Sequence, residues 1–427
     1  MQFVLLLLQI YNKAFWLTLR ACYKLYGNNS ALKIAGENLR GKSFRISHHD
    51  EQDVLFLFKV IKRTWKQLRI QQADIQSQHS NEKSNPDAAI LDGTHTAFQQ
   101  RMKYVTYFSD SVPRYFISRD TLLQIASRKQ FIIGLFCWIP FLICLLPAYV
   151  FTKHKSALAL CVMEFWEHTH LLTILKSKKV THLLMFCIYE KDTNLLYLLL
   201  HDFDITVSKV TSEVPIAIWN RRILTDKLIL CHPYQEEEVK HFQSTIRYDN
   251  LLHWGPERIY ESAPAYESPT LKPGAENCIG FYSTASWLRA KAGHIQQAVS
   301  NPKHEEKILH WLHDFLEAHS GSKLIVFLHP KERKAELLEE TKDHYRAILG
   351  GSNWEFAPFD KPSSSLFDCV SVGIAQFTTI LFERSYLGFE VVFVPFEVSD
   401  FPVKDSEMEK NCVYTKSDLH LSIEGNS

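Results

Sequence analysis

The chain has 427 residues, which is enough for two α/β domains of ordinary size. Apolar residues make up 46% and charged residues 22%, a composition typical of a globular protein with a large core. The 48 basic and 47 acidic side chains leave a net charge of +1. This balance argues against a nucleic-acid-binding protein, although a local positive site can still take a small anion.

Nine cysteines are scattered through apolar runs, and no two of them form a CxxC pair. An odd number without paired spacing argues against a disulfide framework and against a structural zinc site. The cysteine pattern therefore predicts a protein of the reducing cytoplasm.

Residues 1–30 are predicted to form an amphipathic N-terminal helix. The run from Phe3 to Leu8 is apolar, and Lys13, Arg20 and Lys24 alternate with apolar residues after it. No basic region precedes the apolar run, so a signal peptide is not expected. Two alternatives stay open for this helix: it lies on a membrane surface, or it packs on the core.

The segment 131–151 carries no charge, and as a straight helix it would be roughly 30 Å long, about the thickness of a bilayer core. Pro140 and Pro147 lie inside it, and basic residues flank both ends. We expect a bent segment that dips into a membrane and returns to the same side. The alternative is a buried core helix.

Residues 31–255 are predicted to form an N-terminal Rossmann-like domain on the acceptor side, with 131–151 as a hydrophobic insertion. In the first part of this domain, two segments are apolar enough for secondary structure, 45–47 and 54–61. A long loop is predicted at 72–97. A strand is predicted at 104–108 and a helix near Thr121. From residue 157 a β–α succession follows, with a helix to 176, strands at 181–189, 205–210 and 227–231, and a helix at 193–201. Short apolar runs of this kind are typical of buried parallel strands.

A proline-rich linker, 256–276, separates this region from a second succession in 277–427. Strands are predicted at 278–282, 324–328, 354–356, 367–372 and 391–395. Helices are predicted from 283–286 onward and at 304–319, 334–348 and 378–387. Two Rossmann-like halves joined by a linker predict the two-domain GT-B architecture, in which the halves face a cleft.

Thr378, Thr379 and Glu383 form the strongest candidate binding motif, where a strand turns into a helix. A helix N-terminus offers free N–H groups and a positive dipole end, so phosphate binds there readily. The threonines add hydroxyl donors, and Glu383, one turn in, can accept bonds from ribose hydroxyls. Alternatively, Thr378 only caps the helix and Glu383 faces solvent or an arginine.

His329-Pro330 ends the strand 324–328, the position where ligands bind in open α/β sheets. A histidine there can donate to a phosphate oxygen and stabilise the departing nucleotide. A second His-Pro pair, His232-Pro233, follows another apolar strand, so the dipeptide alone is a weak signal.

The order of a His-Pro strand end, the serines 363–365 and a hydroxyl pair before a helix with Glu and Gly resembles bacterial sialyltransferases and capsule or lipooligosaccharide glycosyltransferases. The segment 279–293, which begins the second succession, is similar to uncharacterised relatives of these enzymes. The resemblance covers 277–396 well and 157–257 loosely. It implies that His329 contacts the nucleotide phosphate and that Thr378 and Thr379 supply the hydroxyl pair, where serines are commoner. Ser283 and Thr284, in the opening turn, are further nucleotide-binding candidates.

Inverting transfer requires a carboxylate that takes the proton from an acceptor hydroxyl. The resemblance implies an acidic residue after a strand of the first domain, which points to Glu190 or Asp192. Asp192 is equally suited to cap a helix, and Glu164 and Glu213 are rivals. No metal is expected, because the DxD-like segment 202–204 has no other ligands near it in the sequence, and no cofactor beyond the nucleotide sugar is expected.

The sequence thus predicts an inverting, metal-independent glycosyltransferase on the cytoplasmic face of the inner membrane. Its expected partners are a nucleotide-sugar donor such as a CMP-activated ulosonic acid, a surface glycan or lipid-linked acceptor, and the membrane surface. The alternatives are a polyol-phosphate transferase or nucleotide-sugar epimerase on the same fold, and a non-catalytic scaffold of polysaccharide assembly.

Overall fold

The computed structural model describes residues 2–22, 31–32, 88–92, 98–109, 115–118, 128–151, 155–186, 194–212, 214–216, 222–261, 269–291, 301–396, 398 and 401–425. The chain divides into two compact units. Unit 1 comprises Met1–Ser212, Trp219–Leu230 and Phe242–Trp254, and unit 2 comprises Glu213–Ile218, Cys231–His241 and Gly255–Ser427. Two short segments that the sequence prediction assigned to the first domain, 213–218 and 231–241, therefore belong to unit 2.

Unit 1 contains a six-stranded parallel sheet in the order β2-β1-β3-β4-β6-β8. Its strands are β1 (Ala88–Asp92), β2 (Tyr115–Ser118), β3 (His182–Met185), β4 (Thr206–Thr211), β6 (Lys227–Leu230) and β8 (Asn250–His253). A separate short pair is formed by β5 (Ile223–Leu224) and β7 (Ile246–Arg247). The helices are α1 (Gln2–Cys22), α2 (Phe98–Phe108), α3 (Arg128–Phe151), α4 (Lys155–Ser177) and α5 (Asn194–His201).

The core of unit 1 is rich in aromatic side chains from α1, α3 and α4. Tyr11, Phe141, Phe165 and Trp166 are all buried, and the Tyr11 hydroxyl hydrogen-bonds His170 Nδ1 at 3.1 Å. One face of α1 therefore packs on the core, as one of the two predicted alternatives required, while its other face is exposed.

The helix α3 covers the segment 131–151, for which the sequence predicted a bent membrane-dipping segment or a core helix. It runs through Pro140 and Pro147 as one helix of 24 residues. Buried Trp138, Phe141 and Leu145 hold one side of it against the core, which compensates for the hydrogen bonds that proline removes. Among the helices of the described residues, none combines the length and the hydropathy of a membrane span.

Two further predictions for the first part of the chain were wrong. Residues 104–108 lie in α2 rather than in a strand, because Tyr104 and Val105 are fully buried and tertiary packing overrides their strand propensity. The predicted loop 72–97 contains β1, whose short apolar run is buried between two neighbouring strands. The elements expected at 45–47, at 54–61 and near Thr121 lie outside the described residues.

Unit 2 contains a five-stranded parallel sheet in the order β11-β10-β9-β12-β13. The strands are β9 (Cys278–Tyr282), β10 (Lys323–Phe327), β11 (Trp354–Phe356), β12 (Val372–Ala375) and β13 (Glu390–Phe393). The helices are α6 (Pro233–His241), α7 (Ser286–Lys291), α8 (Pro302–Ala318), α9 (Leu338–Leu349), α10 (Thr379–Tyr386) and α11 (Lys416–Glu424). The predicted α/β class with parallel sheets is confirmed.

Strand order fixes where a ligand can bind in unit 2. Numbered along the chain, the strands lie in the order 3-2-1-4-5, the order of a Rossmann half. The direction of winding reverses between β9 and β12, and ligands of such sheets bind at the carboxyl ends of the strands beside this reversal. A ligand of unit 2 is therefore expected at the turns that follow β9, β10 and β12.

The predicted strand 367–372 is mostly wrong. A 3-10 helix, Ser363–Cys369, takes up its first half, and β12 begins only at Val372. The reason is the fully buried Arg384, whose guanidinium donates to the carbonyl oxygens of Phe367, Val370 and Ser371. A Cβ on Gly373 would lie 2.8 Å from the Arg384 side chain, so this arrangement needs glycine there.

Candidate functional site

His329 lies just beyond the carboxyl end of β10, where the sequence predicted a phosphate contact. Its Nδ1 accepts the backbone N–H of Lys331 at 3.1 Å, and its own backbone N–H donates to Glu332 Oε2 at 2.8 Å. Because Nδ1 is an acceptor, the neutral ring carries its proton on Nε2. The local fold thus turns His329 into a hydrogen-bond donor without requiring a positive charge.

The surroundings of His329 are cationic. Burial, together with the positive charges of Arg289, Lys331, Arg258 and Arg333, lowers its pKa to about 4. The imidazole is therefore neutral at physiological pH. Four basic side chains around one half-buried ring leave local positive charge for an anion to compensate, although the net charge of the whole chain is close to zero.

Glu383 is buried on α10 and shares a partner with His329. Arg258 Nη1 lies 3.8 Å from Glu383 Oε1, and the same arginine acts on the His329 ring. Burial raises the pKa of Glu383 to about 7, against the opposing effect of Arg258. Its other oxygen, Oε2, has no hydrogen-bond partner among the described residues. A buried carboxylate oxygen without a donor is what a ribose hydroxyl would satisfy.

The two threonines at the start of α10 have different roles. Thr378 is the N-cap residue, yet its side chain makes no capping hydrogen bond. The Thr379 hydroxyl donates to the carbonyl oxygen of Val214 at 3.2 Å and so ties α10 to the segment 214–216. The geometry therefore leaves Thr378, rather than Thr379, as the candidate hydroxyl donor of the predicted pair.

The turn between β9 and α7 contains the candidates Ser283 and Thr284 and is held by hydrogen bonds within the protein. The backbone N–H groups of Thr284 and Ser286 donate to the carboxylate of Glu305 at 2.7 and 3.0 Å, and the Ser283 hydroxyl accepts the N–H of Ala285 at 2.9 Å. The turn holds Ala285 at a φ of 55°, a left-handed conformation that L-residues rarely adopt. Ser283 and Thr284 thus have hydrogen-bond partners inside the protein, and their predicted contact with a nucleotide stays a prediction.

Sequence reasoning missed Glu305 and Glu332, two buried carboxyl groups beside the site. Glu332 accepts from the Trp287 indole N–H at 2.7 Å and from the Tyr345 hydroxyl at 3.2 Å, in addition to the His329 N–H. Burial, together with the nearby charge of Glu305, raises the pKa of Glu332 to about 7. The spacing of Glu332 three residues after His329 could have indicated this local bond, but no sequence signal pairs Glu305 with a distant turn.

The second His-Pro pair has a structural role. His232 lies in unit 2, where its Nδ1 accepts the N–H of Tyr234 and its Nε2 lies 3.3 Å from the Ser385 hydroxyl. Its ring packs edge-on against Phe382 of α10. Both ring nitrogens are occupied, so this dipeptide is not a second binding site.

The structure does not describe the predicted general bases. Glu190, Asp192 and the rival Glu213 lie outside the described residues, and Glu164 is buried in α4. Asp202 forms an ion pair with Lys13 at 3.9 Å. In the part of the chain that the structure covers, no group of histidine, cysteine, aspartate or glutamate side chains is arranged to hold a metal ion.

No protein-family model matches the chain, and no curated protein sequence matches it. Solved structures do show similarity. An O-GlcNAc transferase mutant from Thermobaculum terrenum is 9% identical over 94% of this chain and 70% of its own, with a TM-score of 0.40.

Two other similar structures come from archaea and bacteria. The UDP-GlcNAc 2-epimerase of Methanocaldococcus jannaschii, in complex with UDP-GlcNAc and UDP, is 10% identical over 80% of this chain and 92% of its own, with a TM-score of 0.43. MurG of Acinetobacter baumannii is 12% identical over 80% of this chain and 83% of its own, with a TM-score of 0.37. At such identities and scores these similarities assign neither a reaction nor a substrate to this chain.

Proposed function

We propose that this protein is a glycosyltransferase of the GT-B type that transfers a sugar from a nucleotide-activated donor with inversion and without a metal. The observation that carries the proposal is the surroundings of His329. A neutral imidazole presents its Nε2–H at the carboxyl end of a parallel strand, among four basic side chains. This arrangement suits the phosphate of a departing nucleotide.

The chemistry follows from these charges. Negative charge grows on the leaving phosphate as the bond to the sugar breaks, so donors already in place stabilise the transition state more than the bound substrate. In the proposal the Nε2–H of His329 donates to a phosphate oxygen, and Arg258 and Arg289 compensate the remaining charge. Glu383 then accepts ribose hydroxyls at its unpartnered oxygen, and Thr378 adds a hydroxyl donor.

The acceptor side of the proposal rests on the sequence alone. Glu190 or Asp192 takes the proton from the acceptor hydroxyl, and the acceptor is a surface glycan or a lipid-linked sugar. A CMP-activated ulosonic acid is the donor that the sequence resemblance implies. The proposal places the protein at the cytoplasmic face of the inner membrane, in contact with the membrane surface.

A nucleotide screen tests the proposal. Thermal shifts of the full chain with CMP, UDP, GDP and CDP-glycerol should identify one stabilising nucleotide. His329→Ala should abolish transfer of the sugar. It should also lower the affinity for that nucleotide by about tenfold to a hundredfold, because one hydrogen bond to a charged group is lost. His329→Gln, which keeps an N–H donor, is the matched control and should retain more affinity. Full transfer by His329→Ala, or stabilisation by none of the nucleotides, would contradict the proposal.

A nucleotide-sugar epimerase is the second candidate, and Glu383 favours it. A buried carboxyl group with a pKa of about 7 exchanges protons readily near neutral pH, and an epimerase needs such groups beside the bound sugar. Incubation of the stabilising nucleotide sugar without any acceptor separates the two functions. Epimerisation of the sugar would support the second candidate, whereas an unchanged sugar that is transferred once acceptor is added would support the first.

A further inference from the structure

One side of α3 is apolar and exposed along its length. Five exposed positions on this helix recur every three or four residues and carry large apolar side chains: Ile132, Phe136, Ile139, Ile143 and Leu146. At 3.6 residues per turn they fall within an arc about 80° wide. Phe136 is 75% exposed, an unusual state for a phenylalanine. The packed side of the same helix is also apolar, so α3 is hydrophobic all round while only half of it is covered by the protein.

The neighbouring helix α1 continues this surface. It exposes Val4, Leu5, Leu8 and Trp16, while Phe15 packs against Phe141 of α3 with ring centroids 5.7 Å apart. A groove of about 550 Å³ runs between the two helices and is lined by residues of both. We call these nine exposed residues of α1 and α3 the α1–α3 apolar face.

The sequence stretches that contain the two helices carry charges of one sign. Residues 1–36 and 121–163, which contain both helices, include no aspartate or glutamate, although the whole chain has 47 of them. Basic residues lie within the two helices or close to them in the sequence: Lys13, Arg20, Lys24, Lys33, Arg128, Lys129, Lys153 and Lys155. Within the described residues, Lys13 forms an ion pair with Asp202.

We infer that the α1–α3 apolar face docks on an anionic lipid bilayer, with its apolar side chains among the acyl chains and the basic residues at the headgroups. The inference rests on the membrane contact included in the proposed function and assigns it to named residues. Apolar burial combined with attraction of several lysines and arginines to anionic lipid is the physics of interfacial helices. A second copy of this chain would bring the same basic residues together, so charge favours lipid over self-association.

Vesicle co-sedimentation of the full chain tests this inference. The wild type should bind vesicles of mixed phosphatidylcholine and phosphatidylglycerol, bind phosphatidylcholine alone more weakly, and lose the difference in high salt. The double variant Phe136→Asp, Ile143→Asp should bind at least about tenfold more weakly. The reason is that carboxylates replace two apolar side chains that would contact the acyl chains of the bilayer. Both positions are exposed, so the fold should be unaffected. Leu421→Asp, at an apolar position of unit 2 that is 65% exposed, is the matched control and should bind as the wild type does.

Each outcome decides the inference. Equal binding by the double variant and the wild type, or no binding of either vesicle by the wild type, would overturn it. A wild-type dimer in sedimentation velocity that the double variant dissociates, without vesicle binding, would instead assign the face to self-association. The thermal shift with nucleotide, measured on the same preparations, separates this inference from the proposed function, because unit 2 carries the nucleotide site and the double variant leaves it intact.

Discussion

Replacing Glu383 with glutamine should make the protein more stable at high pH but change its stability less at low pH. Burial raises the pKa of this carboxyl group from 4.5 to about 7. The folded protein therefore holds the proton more tightly than the unfolded chain, and stability is lost as the pH rises from about 4.5 to about 7. Glutamine keeps the shape of the side chain and cannot ionise, so it removes this loss.

The size of the effect follows from the shift. One pKa unit corresponds to about 1.4 kcal/mol, so the shift of Glu383 amounts to about 3 kcal/mol once the group is fully ionised. Between pH 5 and pH 8, the stability of Glu383→Gln relative to the wild type should rise by about 2 to 3 kcal/mol. Glu332 titrates in the same range but is present in both proteins, so it cancels from the difference.

Urea unfolding of both proteins at pH 5 and pH 8 measures this change. Any constant effect of the glutamine appears at both pH values and is removed by the comparison. The attraction of Arg258 to the ionised Glu383 depends on pH and is already included in the pKa of about 7. If the difference between the two proteins were the same at pH 5 and pH 8, Glu383 would not titrate near neutrality. The case for Glu383 as a proton-exchanging group, and with it the epimerase alternative, would then fail.

Two other predictions concern the supports of the site and its chemistry. Glu305→Ala should destabilise the protein by about 3 kcal/mol in urea unfolding, because two buried backbone N–H groups lose their acceptor. The control is Glu306→Ala at the adjacent position. An equal loss of stability in both variants would contradict the role given to Glu305. Transfer rates should be unchanged by EDTA, because arginine side chains rather than a metal ion compensate the phosphate charge; a loss of activity that added Mg²⁺ or Mn²⁺ restores would show the opposite.

Periodicity along the chain was sufficient for the elements whose pattern is local. The helix α8 has apolar residues at helical spacing, and β9 and β10 are short apolar runs, so all three were predicted within a few residues. The position of His329 at a strand end also followed from the sequence. Patterns failed where tertiary packing overrode propensity, as at 104–108, where burial of Tyr104 and Val105 produced a helix.

The sequence by itself determined the α/β class, the repeated strand–helix order and the chemical types of the candidate residues, since these depend on neighbours in the chain. Only the tertiary structure decided which of those residues are available for a ligand. Glu305 occupies the N–H groups of the Thr284 turn from 21 residues away, and Val214 takes the Thr379 hydroxyl from 165 residues away. Arg258, which is distant from both residues in the sequence, lies 3.8 Å from the Glu383 carboxylate, and its charge lowers the pKa of His329. Hydrogen bonds and charges between residues far apart in sequence leave no periodic trace, so the site had to be found in the fold.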